Sequence, residues 1–171
     1  MRKKSGRQAG LVHPGEPPLP AGRAVFQVEF PAPTAAKNQA LEALLRALED
    51  AGALSQEADL FPARLCLDEA LINAVMHGSQ YDATRTVRAS AYLDARRWSV
   101  VIEDEGAGFR EEDLPDPEAQ ENQLEESGRG VLLMRRFMDE LAYYRGGSCV
   151  LLSRARTAPR QTSVRTRKGI V

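Results

Sequence analysis

The stretch RWSVVIEDEGAGFR, residues 97–110, decides how the chain is read. Apolar positions lead through Glu103 and Asp104 into Gly106-x-Gly108 and Phe109, as in a strand that ends by setting a carboxylate beside two glycines. TVRASAYLD (86–94) precedes it across a short polar turn at Ala95-Arg96, and the two segments read as paired strands. The glycines do not make G-x-G-x-x-G, and no repeated strand–helix–strand unit surrounds them, so a dinucleotide-binding parallel sheet is disfavoured. Taken alone, the stretch is equally an acidic turn at the surface.

Working outward, AVFQVEF (24–30) alternates apolar with polar and predicts a strand. PAPT breaks it, with Thr34 placed to cap the next element. Over 35–51, Leu41, Leu44, Leu45 and Leu48 follow helical spacing, and Gly52 is the stop. LFPARLCLDEALINAVMHG (60–78) predicts a second helix, with Pro62 in its first turn and Gly78 at its end. SGRGVLLMRRFMDEL (127–141) opens on a Gly-rich turn and continues as an amphipathic helix, and ELAYYRGGSCVLLSRA closes as a hairpin around Gly146-Gly147. The order strand, helix, helix, two strands, loop, helix, two strands predicts an α+β fold with a mixed, largely antiparallel sheet and its helices on one face. The loop, 105–127, is rich in Glu, Asp, Pro and Gln, and its length marks it as functional or mobile.

With 171 residues, 43% of them hydrophobic, the chain suits one packed domain with flexible ends. Residues 1–23 carry five Lys/Arg and one Glu (net +4), and 154–171 carry six Lys/Arg and no acid (net +6), which leaves −11 on 24–153. The ends therefore read as disordered basic tails around a domain at 24–153. The acidic body argues against nucleic acid as its partner. No apolar run approaches the roughly 18 residues of a membrane helix, and the charged start lacks the apolar segment of a signal peptide, so the expected setting is the cytoplasm, away from membranes. Cys66 and Cys149 lie far apart in apolar surroundings and read as reduced, buried thiols.

Three segments carry candidate chemistry. In DEALINAVMHG, Glu69 and Asn73 are one helical turn apart within an apolar run, where an acid and an amide need partners if buried. Asn73 can offer its carbonyl oxygen to Mg²⁺, and Glu69 can take a proton from a hydroxyl or a water. A solvated polar stripe would look the same. His77, beside Gly78, suits a C-terminal capping position. In the opening stretch, a buried Asp104 can accept a hydrogen bond from an exocyclic amine such as adenine N6, with Gly106 and Gly108 allowing close approach. In SGRGVLLM, Gly128-Arg129-Gly130 before a helix gathers free N–H groups and a guanidinium where a phosphate would bind, although a plain helix start with a surface arginine shares the pattern.

The order E-x-x-x-N, D-x-G-x-G-F, a polar stretch, then G-x-G opening a helix resembles the nucleotide site of the GHKL ATPase superfamily over roughly 24–153. DEALINAVMHGS, VIEDEGAGF and ESGRGVLLMRRFMDEL are most similar to the anti-sigma-factor serine kinases. The resemblance implies a Bergerat-type two-layer α/β sandwich that binds ATP and Mg²⁺. It implies Glu69 as general base and Asn73 as Mg²⁺ ligand, with His77 among the nucleotide contacts. Asp104 would bind adenine over a floor of Gly106, Gly108 and Phe109. Residues 105–127 would form the lid, and Gly128, Arg129, Gly130 and Val131 would hold the phosphates. The implied activity is phosphorylation of a serine on a STAS-type anti-sigma-factor antagonist and sequestration of a sigma factor, by a homodimer. The alternative is a nucleotide-binding module that holds a partner protein without turnover. A histidine kinase is disfavoured, because His13 beside Pro14 sits in no helical pattern. The many lid acids suit a triphosphate only if they point away from it or meet partners.

Overall fold

A computed structural model of the chain describes residues 11–114 and 129–156. Five strands form one sheet: β1 (Arg23–Pro31), β2 (Thr86–Leu93), β3 (Arg97–Asp104), β4 (Glu140–Tyr144) and β5 (Cys149–Ala155), in the order β1-β2-β3-β5-β4. All four strand pairings are antiparallel. Helices α1 (Thr34–Asp50), α2 (Glu57–Asn73) and α3 (Arg129–Phe137) complete the α+β fold.

Alternation along the strands divides the two faces. Val87, Ala89 and Ala91 of β2, Trp98, Val100 and Ile102 of β3, and Val150 and Leu152 of β5 share one core with the leucines of α1, Leu67 and Leu71 of α2, and Met134 of α3. The intervening residues Val101, Cys149 and Leu151 form a small separate cluster with Tyr92 and Tyr144 on the other face. Asp104 follows Ile102 by two positions, so the pleat directs it to the helix side, whereas Glu103 faces away. The hairpin between β2 and β3 closes where the Asp94 amide donates to the Arg97 carbonyl at 3.1 Å and the Asp94 carboxylate accepts from the Arg96 and Arg97 amides. Both cysteines are free and buried.

Several local expectations change. Helix α1 begins at Thr34 itself, after Pro33, and no side chain caps it. Gly52 does stop it, at φ +73 with its amide on the Glu49 carbonyl. Helix α2 begins three residues earlier than expected, with Glu57 and Asp59 in its first turn, so Pro62 lies inside the helix rather than at its start. The expected helix to Gly78 is α-helical only to Asn73, and Ala74–Gly78 is a π turn. Strand β5 runs to Ala155, beyond the domain edge expected at 153, and Arg156 donates to the Asp94 and Gly52 carbonyls.

The N-terminal segment departs furthest from expectation. Residues 11–16, assigned by composition to a disordered tail, lie along β4. Val12 pairs with Tyr143 in a parallel bridge, the His13 amide donates to the Tyr143 carbonyl, and the Tyr143 amide donates to the Leu11 carbonyl, both at 2.8 Å. The Arg145 and Gly146 amides donate to the Gly15 and His13 carbonyls. His13 stacks on Tyr144 at 5.1 Å, and Arg145 bridges Glu16 and Glu103. The sheet itself is wholly antiparallel rather than mixed, and this single parallel bridge lies outside its five strands.

Candidate functional site

The site grows from the junction of α2 and β3. In the π turn the Ser79 amide donates to the Ala74 carbonyl at 2.8 Å, one residue further back than an α-helix allows. Gln80 and Tyr81 then take φ of +54° and +57°, turning the chain sharply. The turn brings the Gly78 backbone onto Asp104: a Cβ on Gly78 would lie 2.2 Å from Asp104 Cγ. A Cβ on Gly106 would lie 2.4 Å from the Gly78 carbonyl oxygen. The Asp104 carboxylate is therefore held between two glycine backbones, where no side chain fits.

The Gly106 amide donates to Asp104 Oδ1 at 2.7 Å. Burial nevertheless dominates and pushes the Asp104 carboxyl from its ordinary 3.8 up to about 6, against that hydrogen bond and the Arg85 guanidinium. Arg85 also donates to the Gly78 carbonyl at 3.1 Å, tying together the loop beneath the carboxylate. Sequence reasoning missed Arg85, because nothing in its spacing links it to residue 104.

Glu69 and Asn73 lie on the last turns of α2, both half-buried. Burial raises the Glu69 carboxyl, Asp68 raises it further, and Lys37 opposes them. Lys37, itself buried on α1, forms an ion pair with Asp68. A Cβ on Gly130 would lie 2.3 Å from Glu69 Oε2, so the start of α3 rests directly on the Glu69 carboxylate. Asn73 faces Tyr143, a buried residue of β4, closely enough to act on its hydroxyl. Tyr143 meets Phe109 edge-on, with ring centroids 4.8 Å apart.

The fold thus gathers Glu69 with Gly130, Asn73 with Phe109 through Tyr143, and Asp104 with Gly106. Gly108, at φ +72, packs on the Gly146 carbonyl and fixes the bend that carries Phe109. Val131 packs against the core, His77 is exposed on the π turn, and Arg129 is exposed at the first residue of α3. Gly128 and lid residues 115–127 lie outside the described residues. The described lid acids have partners: Glu111 accepts from the Leu11 and Val12 amides, Asp113 from the Arg110 amide, and Glu112 pairs with Arg110. The Ser79 hydroxyl is buried without a hydrogen-bond partner among the described residues, beside the cradle that holds Asp104. No three or more His, Cys, Asp or Glu side chains cluster as a cation site among those residues. A Mg²⁺ ion here would use Asn73 with oxygens of its ligand, a mode that suits Mg²⁺.

Residues 32–154 match the model of the histidine kinase-like ATPase domain. The chain belongs to the histidine kinase-like ATPase domain family. This is the GHKL-type fold that the spaced boxes had indicated. The domain is similar to the anti-sigma F factor of Clostridium perfringens, 32% identical over 88 residues that cover 50% of this chain and 63% of that protein. It is likewise 31% identical over 88 residues to the anti-sigma F factor of Anoxybacillus flavithermus, covering 50% of this chain and 60% of that one. The anti-sigma F factor of Bacillus cereus is 33% identical over 85 residues, covering 48% of this chain and 58% of that protein. The chain spans about six-tenths of the length of these curated relatives. Among the described residues of this ATPase-type domain, no helix is long and apolar enough to cross a membrane.

The shifted Asp104 carboxyl predicts two pH effects. Its folded-state value lies above the ordinary 3.8, so the fold favours the protonated form, and this group's stabilising contribution is lost as pH rises from about 4 through about 6. Any ligand contact that needs the charged carboxylate would run the other way and weaken as pH falls through about 6. Affinity should be compared between the parent and Asp104→Asn across pH 5–8, so that titration of the ligand's own phosphates cancels. Parallel profiles would remove Asp104 from the nucleotide contact.

Proposed function

We propose that this domain is an ATP-dependent protein-serine kinase of the anti-sigma-factor type. It would phosphorylate a serine on a small antagonist protein and sequester a sigma factor. The observation that carries the reading is the placement of Glu69: a half-buried carboxylate with a raised pKa, against the start of the helix that follows the lid. A base poised nearer neutrality than a free carboxylate is suited to accept a serine hydroxyl proton. Asn73 would hold Mg²⁺, which with the phosphates supplies charge neutralisation for phosphoryl transfer. Asp104 would accept from the adenine amine. The similarity to anti-sigma F factors supports the choice of a sigma factor as partner, while the antagonist substrate and the homodimer follow from the resemblance of the boxes alone.

The test is incubation of the full chain with labelled ATP and a candidate antagonist, followed by phosphoamino-acid analysis. Label on serine is the expected result. Nucleotide binding with no transfer to any antagonist would instead support a module that holds its partner without turnover.

A second experiment tests the ligand geometry. Asp104→Asn is expected to weaken ATP binding roughly ten- to hundredfold, the scale of one charge-assisted hydrogen bond. Glu103→Gln should change it less than about twofold, because Glu103 faces the other side of the sheet and pairs with Arg145 at 2.6 Å. Equal effects of the two substitutions in calorimetry would return 101–110 to an ordinary turn.

A further inference from the structure

The loop that carries Phe109 is held from behind by a segment that belongs to none of the boxes. Three links reach it from residues 11–16. The Glu111 carboxylate accepts from the Leu11 amide at 2.8 Å and from the Val12 amide at 3.5 Å. The Gly146 amide donates to the His13 carbonyl at 3.1 Å, while the Gly146 carbonyl accepts from the Phe109 amide at 2.8 Å. Tyr143 shares main-chain hydrogen bonds with Leu11 and His13, each at 2.8 Å, and its ring meets the Phe109 ring edge-on at 4.8 Å. The loop has little room to absorb a shift of these partners. A Cβ on Gly108 would lie 2.0 Å from the Gly146 carbonyl oxygen, and one on Gly147 would lie 2.6 Å from the Phe109 amide nitrogen. Leu11 and Val12 also pack against the main core, and Arg145 ties Glu16 to Glu103. Directed main-chain bonds and packing thus dock the segment along its whole length.

We propose that residues 11–16 are a positioning strap for the nucleotide site: docked along β4, they fix the Gly106–Phe109 loop in the shape that binds the nucleotide. The inference rests on the nucleotide reading above and adds to it a segment upstream of the first strand. No residue of the strap needs to touch the ligand. The strap acts on Phe109 through Gly146 and Tyr143, and on the residues after Phe109 through Glu111. Phe109 stands three positions beyond Gly106, whose amide holds Asp104 Oδ1 at 2.7 Å. A loop released at Phe109 therefore also slackens the clamp on the Asp104 carboxylate. The strap has two states, docked and undocked, and a nucleotide that binds better to the docked state must favour docking by the same factor.

The experiment measures binding of a fluorescent, non-hydrolysable ATP analogue, with Mg²⁺ present, to the full chain and to two variants of the strap. His13→Pro removes the amide that donates to the Tyr143 carbonyl, and Leu11→Pro removes the one that donates to Glu111. Each should weaken analogue binding about five- to tenfold, the lower part of the range for coupled sites, at a temperature where melts show the variants folded. The double variant should fall short of the product of the two effects, because an undocked strap has little more to lose. His13→Ala keeps the amide and loses only the stack on Tyr144, so its effect should be smaller. A strap that only stabilises the fold would lower the melting midpoint and leave the affinity of the folded variants at the parent value, and that result overturns the inference alone. A parent that does not bind the analogue overturns the nucleotide reading and this inference with it. The unaltered chain offers a test that needs no variant to fold: saturating analogue should slow hydrogen exchange at the His13 and Tyr143 amides by about the same five- to tenfold. Exchange there that stays unchanged while fluorescence reports binding would overturn the proposal.

Discussion

Glu69→Gln is expected to lower phosphoryl transfer to the antagonist by roughly a hundred- to ten-thousandfold, the usual contribution of a positioned general base. Affinity for ATP should stay within about twofold. The amide keeps the shape of the carboxylate that Gly130 abuts, so the start of α3 is not displaced. Stability should not fall with activity. Burial and Asp68 already disfavour the charged form of Glu69, so a neutral isostere removes a desolvation penalty. Thermal unfolding of the variant should lie at or slightly above the parent. Glu69→Ala should lose transfer as fully, but it leaves a gap beneath Gly130. Single-turnover transfer with labelled ATP measures the first effect, and a variant that transfers at the parent rate would rule out Glu69 as the base.

Gly108→Ala carries the largest expected loss of stability. An added Cβ would lie 2.0 Å from the Gly146 carbonyl oxygen, and the backbone there has φ +72. The obstacle is main chain, which cannot swing aside. The left-handed backbone costs about 1–2 kcal/mol for a residue with a Cβ, and overpacking adds about 1–3. At roughly 2–4 °C per kcal/mol for a chain of this size, the midpoint should drop by about 10 °C. Gly146→Ala is the matched control. It shares a positive φ of +62, but its Cβ would enter open space, so only the backbone term applies. Circular dichroism melts that show equal drops for the two variants would defeat the steric account.

Much of this site was legible because its chemistry depends on residue type at short spacing. Glu69 and Asn73 share a helix face by periodicity, and Asp104 sits at the end of an apolar strand whose pleat turns it inward. Boundaries were less legible. EADLF carries acids that stabilise a first turn, but its apolar positions are too sparse to show a helical period, so the sequence reads as a helix beginning at residue 60 with Pro62 in its first turn. The π turn has no compositional signature at all. Tyr143 was unreadable for a different reason: its link to Asn73 spans 70 positions and exists only once β4 has paired with β5. Residues 11–16 were misread because Pro, Gly and charge describe side chains, whereas the bonds that hold this segment are mostly main-chain amides and carbonyls.

That segment also bears on self-association. A sheet whose last strand is bare invites any extended chain to pair with it. Strand β4 is last in this sheet, and its Tyr143 and the following Arg145–Gly146 amides are already taken by Leu11–Gly15 of the same chain. The opposite border is blunted by other means, with a register break between Ala24 and Phe26 and Pro31 at the end of β1. Trimming the chain at residue 24 would uncover one border and leave the other guarded. The shortened protein would then be sticky along β4 alone, and would tend to assemble in pairs rather than in open-ended fibres.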